Sequence, residues 1–155
     1  MFGKHQYRCV LGNSGVVSKK REGDGATPAG LFPMLRVLYR PDRVASPKTK
    51  LPVFQLKPND GWCDDPSHAD YNKHIILPHN ASHEVLWRKD HVYDVIVVLG
   101  YNTSPIIPFK GSAVFLHCAT PSYDPTKGCI AVKDIDLIEI LKNCSNQTQV
   151  KIIKF

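Results

Sequence analysis

The stretch that decides the fold of this chain is His117-Cys118-Ala119-Thr120-Pro121-Ser122-Tyr123-Asp124-Pro125-Thr126-Lys127-Gly128-Cys129-Ile130. Apolar, strand-like pieces at 113–117 and 129–132 lie at its two ends, and the loop between them is rich in turn residues. We expect the chain to return antiparallel after this loop. That return would bring the imidazole of His117 close to the thiol of Cys129.

This pair of side chains is suited to nucleophilic catalysis. A thiol with an ordinary pKa of about 8.5 is mostly protonated at neutral pH, so a nucleophilic Cys129 needs an imidazole that takes its proton. His117 is the candidate base. Gly128 lets the backbone pass close to a substrate, and the amide N–H groups around Gly128 and Cys129 could face an oxyanion. A buried structural pair of His and Cys is the alternative interpretation of the same residues.

Outward from this stretch, the pattern predicts a mainly β domain with one principal helix. The predicted strands lie at residues 7–11, 16–17, 31–39, 92–99, 113–117, 129–132 and 150–155. The helix begins with Asp134 as its N-cap and ends near Asn143. Its apolar stripe is formed by Ile135, Leu137, Ile138 and Leu141. A long irregular segment, 57–87, fills the middle of the chain, and loops of that length are uncommon unless they have a function.

Length and composition favour one globular domain, residues 1–155. The chain has 155 residues, of which 43% are hydrophobic and 22% are charged, enough for a stable core. The net charge is +6, but the basic residues are scattered and the densest run is only Lys19-Lys20-Arg21. The charge favours acidic surroundings but does not by itself choose between nucleic acid and an anionic wall polymer. We predict no nucleic-acid partner, no cofactor and a monomer.

Cysteine usage and hydropathy argue against a disulfide scaffold, a zinc knuckle and a membrane-spanning protein. The 5 cysteines, at 9, 63, 118, 129 and 144, are odd in number and contain no C-x-x-C pair. Neither a fully paired disulfide framework nor a zinc knuckle is therefore indicated. No apolar run approaches the length of a membrane span, and the first residues show no apolar leader segment.

At the quoted residues the sequence resembles the L,D-transpeptidase (YkuD-type) catalytic domain family. That family has a His at a strand end followed, after a loop, by Ser/Thr-His-Gly-Cys and an apolar residue. Here His117 is followed by Thr126-Lys127-Gly128-Cys129-Ile130. Ala26-Thr27-Pro28-Ala29-Gly30-Leu31-Phe32 resembles the family's Thr-Pro-x-Gly-x-Phe segment, and Val98-Leu99-Gly100-Tyr101-Asn102 resembles the strand and turn before the catalytic loop. The resemblance covers residues 10–142 and implies a compact, divergent member with a YkuD-like β-sandwich or barrel-type fold.

The resemblance also implies a chemistry. In this family the cysteine attacks a carbonyl of a peptidoglycan stem peptide, releases the terminal D-amino acid and passes the acyl group to an amine. Carried over, Cys129 would form the thioester, His117 would be the base and the carbonyl of Cys118 would orient the imidazole. Backbone amides from Lys127 through Gly128 to Cys129 would form the oxyanion hole. This role requires Cys129 to be accessible and more acidic than an ordinary thiol.

The chain departs from the family's motif at two positions. Lys127 stands where a His usually precedes the Gly, and Ala131 stands where an Arg often follows the Cys. If the lost Arg orients substrate, another cation must do so, and the candidates are Arg43, Arg88 and Lys127. The sequence does not decide which stem peptide donates the acyl group or whether the cross-link formed is 3-3 or 1-3.

The middle segment mixes aromatic and charged residues in a way that suits a substrate wall. The candidates for substrate contact are Tyr101, Trp62, Tyr71, His83, Trp87 and Arg88. The aromatic side chains could equally cover the core. No role is assigned to Cys63 or Cys9.

Three other functions are compatible with these residues. The same thioester could be resolved by water, which would make the chain an L,D-carboxypeptidase or endopeptidase. A zinc peptidase would use Asp64, His68, His79 or His83. A wall-binding module would keep the fold without catalysis.

The family resemblance favours the periplasm or cell envelope, whereas the missing leader segment leaves the cytoplasm open.

Overall fold

The computed structural model describes residues 5–18 and 20–154 of the chain. Within these ranges the protein is mainly β with a single helix, and its sheets curl into a half-barrel, which confirms the predicted fold class. The strands are β1 (Cys9–Val10), β2 (Val16–Val17), β3 (Thr27–Pro28), β4 (Gly30–Tyr39), β5 (Val53–Gln55), β6 (Asp60–Cys63), β7 (His74–Ile76), β8 (His83–Val85), β9 (Val95–Leu99), β10 (Phe115–Cys118), β11 (Ile130–Val132) and β12 (Gln149–Ile152). The helix is α1 (Asp134–Lys142).

The main sheet is seven-stranded within the described part of the chain, in the order β1-β11-β10-β9-β4-β12, with β5 also paired to β4. Strand β9 lies in the middle, antiparallel to both β10 and β4. All of its residues are buried, which explains its continuous run of aliphatic side chains. The predicted strand 92–99 is therefore correct at its centre, but residues 92–94 precede β9.

Strands β10 and β11 pair in parallel, so the predicted antiparallel return is wrong. Neighbouring parallel strands need a connection that runs back along the whole strand before the next one begins. The loop between Cys118 and Ile130 makes that return. Thr126 in this loop exchanges backbone hydrogen bonds with Leu11 and Asn13, directly after β1, which pairs antiparallel with the far edge of β11.

The middle segment is not irregular, contrary to the prediction for 57–87. Strands β6, β7 and β8 form a three-stranded antiparallel sheet with β6 at its centre. All four residues of β6 are buried, and Trp62 packs edge-on against Phe115 of the main sheet with ring centroids 5.0 Å apart. Strands of three or four residues are too short to show an alternating pattern in the sequence.

Helix α1 covers the sheet near the predicted position, with two differences. Its N-cap is Lys133 rather than Asp134, which instead lies in the first turn where its negative charge suits the helix dipole. The buried face consists of Leu137, Ile140 and Leu141. Ile135, placed on the apolar stripe by its spacing, is 64% exposed because it lies on the side of the helix opposite Leu137.

The ends of the chain match the prediction only in part. The last strand pairs antiparallel with the start of β4 and ends at Ile152, earlier than predicted. Phe155, the first four residues and Lys19 of the predicted basic run lie outside the described residues. Within the described ranges, no helix has both the length and the hydropathy that a bilayer crossing demands.

Candidate active site

The parallel register places His117 and Cys129 on the same face of the main sheet. Leu116 pairs with Ile130, so Cys129 lies one residue before the pairing begins, beside Phe115. The backbone N–H of Phe115 lies 3.4 Å from the Cys129 sulfur. Because residues two apart on a strand share a face, His117 and Phe115 point the same way. His117 and Cys129 both line one cavity of about 840 Å³.

The His117 ring is held in one tautomer. Its Nδ1 lies 2.9 Å from the backbone carbonyl oxygen of Cys118, which can only accept, so the proton is on Nδ1. The lone pair is therefore on Nε2. Tyr93 packs edge-on against the imidazole at 5.2 Å, and burial lowers the pKa of His117. A neutral imidazole with its lone pair on Nε2 has the form of a general base.

The Cys129 thiol is protonated in this structure. It donates to the carbonyl oxygen of Ala113 at 3.0 Å, and no hydrogen bond joins it to His117. Burial, and after it the nearby Glu84 carboxylate, raise the pKa of Cys129 to about 12. The expectation that this thiol is more acidic than usual is therefore wrong for the resting state, although Cys129 is only half-buried and lines the cavity. Thiol and imidazole are both neutral here.

Two threonines hold the backbone around the cysteine. Thr126 Oγ1 donates to the Cys129 carbonyl at 2.7 Å and accepts from the Gly128 N–H at 3.1 Å. Thr27 Oγ1 also donates to the Cys129 carbonyl, at 3.4 Å. The N–H groups of Lys127 and Cys129 donate to no protein atom in the described chain. These two donors, rather than that of Gly128, are free to face an oxyanion.

Gly128 cannot be replaced without strain. Its φ is +132°, a backbone conformation that other residues rarely adopt. A Cβ at this position would lie 2.8 Å from the carbonyl oxygen of Ala26, in the segment Ala26-Thr27-Pro28 that also supplies the threonine above. Two stretches that are far apart in sequence therefore meet at the nucleophile. This contact gives a physical reason for both parts of the motif.

Comparison with known protein families agrees with this geometry. The model of the YkuD family, described as the L,D-transpeptidase catalytic domain, matches residues 3–152. The chain belongs to this L,D-transpeptidase catalytic domain family. A search of curated proteins and a search of solved structures found no match. The family match spans nearly the whole chain, beyond the 10–142 covered by the motifs.

The three cations considered as replacements for the family's usual Arg have different surroundings in this L,D-transpeptidase domain. Arg43 is paired with Asp94 at 2.8 Å. Arg88 lines the cavity but is paired with Asp90 at 2.6 Å. Lys127 also lines the cavity, and its side chain is exposed. None of the three is a buried cation beside the sulfur.

Of the six residues suggested for substrate contact, His83 and Arg88 line the cavity of the L,D-transpeptidase domain. The structure places the other four elsewhere. Trp62 is buried in the core, where its Nε1–H donates to Asn72, and Trp87 lies beneath the Arg40 guanidinium at 3.7 Å.

Tyr71 and Tyr101 do not line the cavity. Each hydroxyl is hydrogen-bonded to neighbouring loops. Tyr71 is buried, and its hydroxyl donates to Glu22 at 2.5 Å and accepts from Gly111 at 2.9 Å. The Tyr101 hydroxyl donates to the carbonyl of Lys110 at 2.5 Å. These tyrosines connect loops around the site and are not positioned to touch a substrate in this cavity.

The middle segment supports the nucleophile indirectly. Asn72 donates to the carbonyls of Tyr101 and Asn102 and accepts from the N–H of Ala113 at 3.0 Å. Ala113 is the residue whose carbonyl holds the Cys129 thiol. The connection between β6 and β7 thus positions the loop whose carbonyl accepts the hydrogen bond from the thiol.

Sequence reasoning missed three polar residues that line the cavity. Glu84 accepts a 2.6 Å hydrogen bond from Tyr93, and burial raises the pKa of Glu84. Lys20 lines the same cavity. Tyr93 was placed in a strand and Glu84 in a loop, and no spacing in the sequence links them to Cys129. The basic run around Lys20 was noticed only as surface charge.

The residues of the zinc hypothesis divide into two places. Asp64 and His83 line the cavity, whereas His68 and His79 lie close to Asp70, with ligand atoms within 4.8 Å of one another. In that cluster both Nδ1 atoms are already occupied, because Ala81 N–H donates to His79 and Asp70 N–H donates to His68. Each Nε2 then carries a hydrogen, and that of His79 donates to Asp70 at 3.3 Å. This donor set does not fit a zinc site without rearrangement.

Proposed function

We propose that this chain is a peptidoglycan L,D-transpeptidase that forms a thioester through Cys129 and transfers the acyl group to an amine. The observation that carries the proposal is the shared cavity of Cys129 and His117, in which the imidazole is fixed with its lone pair on Nε2. The family supports cysteine-dependent chemistry on stem peptides. We also propose that residues 1–155 act as one catalytic domain without a cofactor.

Acylation begins from the neutral pair. As the sulfur attacks the carbonyl carbon of the scissile bond, His117 Nε2 takes the thiol proton and the carbonyl oxygen becomes an oxyanion. The free N–H groups of Lys127 and Cys129 are placed to receive that oxyanion. The C–N bond then breaks, His117 gives its proton to the leaving amine, and a thioester remains on Cys129.

Deacylation repeats the sequence with a new nucleophile. The acceptor amine attacks the thioester carbonyl while His117 Nε2 removes a proton from it, and the tetrahedral intermediate expels the sulfur. The imidazolium returns its proton to Cys129, so the enzyme leaves the cycle unchanged. If water replaces the amine, the same steps give a carboxypeptidase or endopeptidase.

A neutral resting pair suits this order of events. Burial disfavours both the thiolate and the imidazolium, so charge separation is postponed until the substrate carbonyl is present. The Cys129 proton must leave the Ala113 carbonyl for His117 Nε2, which requires a rotation of the thiol or a small ring shift. Hydrogen bonds in free enzymes commonly tighten only in the complex.

The enzyme's substrates and location follow from its family. A domain that acts on peptidoglycan stem peptides would work in the periplasm or cell envelope. The charge of +6 would favour approach to an anionic wall polymer. We further propose that the enzyme works as a monomer.

The deciding experiment is mass spectrometry of products formed from tetrapeptide muropeptides and a free D-amino acid, with and without a chelator. Wild-type protein, Cys129→Ala and the matched control Cys9→Ala, which changes an exposed cysteine, would be compared. Loss of the terminal residue with exchange or dimer products, dependent on Cys129 and unaffected by chelation, would support the proposal. Fragmentation of the dimers would distinguish 3-3 from 1-3 linkage. Turnover by Cys129→Ala would refute the thioester mechanism, and tripeptide alone would indicate hydrolysis.

A further inference from the structure

Lys20 is a buried cation beside the nucleophile. Its side chain is 4% exposed, and its Nζ forms an ion pair with Asp24 at 2.6 Å. Its aliphatic part packs against Gly111, and its ammonium group lies beside Gly128. A Cβ on Gly111 would lie 2.8 Å from Lys20 Cε, and a Cβ on Gly128 would lie 3.3 Å from Lys20 Nζ. The ammonium group is therefore packed against the residue that precedes Cys129.

Burying an ammonium group is costly, so its position calls for an explanation. Lysines are almost never fully buried unless they are paired, and even a paired buried charge gives little net stability. Gly111 and Gly128 both have positive φ, of +101° and +132°, and neither leaves room for a side chain beside Lys20. Two glycines with positive φ therefore border this one cation.

The partner carboxylate does not cancel the charge completely. Asp24 also accepts from the backbone N–H groups of Arg21 at 2.7 Å and Ala26 at 2.9 Å. Burial alone would raise the pKa of Asp24, but the hydrogen bonds from Lys20 and these two amides outweigh it and lower that pKa. Part of the Asp24 charge is thus balanced by the backbone. The other hydrogen bond of Lys20 Nζ goes to the neutral carbonyl oxygen of Arg21 at 3.5 Å, so Asp24 is its one carboxylate partner within the described residues.

We propose that Lys20 is held beside Gly128 to stabilise the negative charge that develops on Cys129 when His117 takes its proton. This inference rests on the proposed function in one respect, the role of Cys129 as the nucleophile. Lys20 acts through the sulfur and does not itself exchange protons with the substrate, so it is a positioning residue. It provides the cation that the sequence lacks at Ala131.

Several other titratable or charged groups share the cavity with the sulfur. The titratable and charged side chains that line the cavity with Cys129 are Glu22, Asp64, His83, Glu84, Arg88, Tyr93, His117, Asp124, Lys127 and Lys20. Glu84 raises the pKa of the thiol, and Lys20 lowers it. Removing Lys20 should therefore leave the opposing carboxylate unbalanced.

The test is the rate of Cys129 alkylation by iodoacetamide between pH 7 and 10, without substrate, in a Cys9→Ser background. Cys9 is exposed, whereas Cys63, Cys118 and Cys144 are buried, so peptide mapping would follow Cys129 cleanly. Below the thiol pKa the rate is proportional to the thiolate fraction. Lys20→Met should slow alkylation about tenfold across this range, the effect of a shift of about one pH unit.

Further variants separate charge from packing. Lys20→Arg should retain most of the rate, and Lys151→Met, which removes an exposed lysine on β12, should leave the rate unchanged. Asp24→Asn should speed alkylation, because it removes the opposing charge while keeping a side-chain acceptor. A loosened cavity would also speed alkylation, so slower reaction of Lys20→Met cannot come from loosening. If Lys20→Met does not fold, Lys20→Gln decides instead. It keeps a polar side chain beside Asp24 without the charge, and it should slow alkylation in the same way.

An unchanged or faster rate for Lys20→Met, or an unchanged or slower rate for Asp24→Asn, would overturn the inference. The outcome is independent of turnover, since no muropeptide is present. A shifted alkylation profile in a protein that turns over no muropeptide would uphold the role of Lys20 and refute the transpeptidase proposal. Normal muropeptide turnover with an unshifted alkylation profile would support the transpeptidase proposal and refute the role of Lys20.

Discussion

His117 lies directly opposite Ala131 in the parallel pairing of β10 with β11. This register places Cys129 diagonally across from the imidazole, on the same face and in the same cavity. The thiol donates to Ala113 and the imidazole Nδ1–H donates to Cys118, so each group is held by a backbone carbonyl. The reactive atoms are thus positioned by the main chain, and their chemistry depends on backbone geometry.

Turnover should depend on the thiol of Cys129. Cys129→Ser should lower turnover of muropeptides at least about a thousandfold, because a hydroxyl beside a neutral imidazole is a much weaker nucleophile than a thiol. The thermal midpoint should change little, since the side chain keeps its volume and its donor. Cys118→Ser makes the same change at a buried sulfur that faces away from the cavity, and it should lower stability with a smaller effect on turnover. Equal loss of turnover in both variants would contradict the assignment.

Gly128→Ala should destabilise the protein and inactivate it. A residue with a side chain is strained at φ +132°, and its Cβ would meet the Ala26 carbonyl at 2.8 Å. We expect a loss of about 2–4 kcal/mol in the free energy of unfolding, measured by denaturant titration. The matched control is Gly15→Ala, which has φ +77° but open space around the new Cβ, and it should cost only about 1 kcal/mol. Similar losses would show that the contact with Ala26 is unimportant.

Thr126→Val should impair catalysis more than its effect on stability suggests. The change removes the hydroxyl that donates to the Cys129 carbonyl and accepts from Gly128, while keeping the shape of the side chain. Thr49 offers a close control, because its hydroxyl donates to the carbonyl of Cys144 and accepts from Leu51, far from the cavity.

Both threonine variants should lose about 1–2 kcal/mol of unfolding free energy. Only Thr126→Val should also lower kcat/KM, by about tenfold or more, because it loosens the backbone that presents the nucleophile. Steady-state kinetics and denaturant titration of the two proteins would show whether the effects separate. Unchanged kinetics in the Thr126 variant would remove this residue from the active-site machinery.

The pH dependence of stability should report the buried imidazole. Burial lowers the pKa of His117, whereas in the unfolded chain it returns to about 6.5. At lower pH the unfolded chain therefore binds a proton that the folded protein resists. The contribution of neutral His117 to stability is complete above the unfolded pKa and is lost as pH falls below it, by up to about 1.4 kcal/mol per pH unit.

The comparison that isolates this effect is wild type against His117→Gln between pH 5 and 7.5. The slope present in the wild type should be missing from the variant, and contributions from carboxyl groups should cancel in the difference. The same pKa should set the acid limb of kcat/KM, which is expected below the usual range for histidine. Parallel stability curves for the two proteins would contradict a buried, neutral His117.

Much of the fold could be read from local patterns. The long apolar runs of β4 and β9, the amphipathic helix and the motif around Gly128 are short-range features, and each was predicted close to its observed position. The family itself was also identified from these segments and is confirmed over residues 3–152. Local sequence succeeds here because hydrophobic periodicity and turn residues act over a few neighbours.

Errors arose where a property depends on partners far away in the chain. The irregular segment predicted at 57–87 is a small sheet, because its strands are too short to be recognised without their pairing partners. Trp62, Tyr71 and Trp87 have the composition of a substrate wall but lie outside the cavity, since their neighbours in space are core residues and framework loops. Composition describes a residue's chemistry and not what surrounds it.

The sequence by itself determined the class of fold, the family, and the two residues, His117 and Cys129, on which the proposed chemistry depends. Only the tertiary structure decided that β10 and β11 run parallel, that thiol and imidazole are both neutral at rest, and that Lys20 lies buried beside Gly128. The physical reason is that residue identity defines what a group can do, whereas strand register, burial and electrostatic surroundings arise from contacts between distant segments.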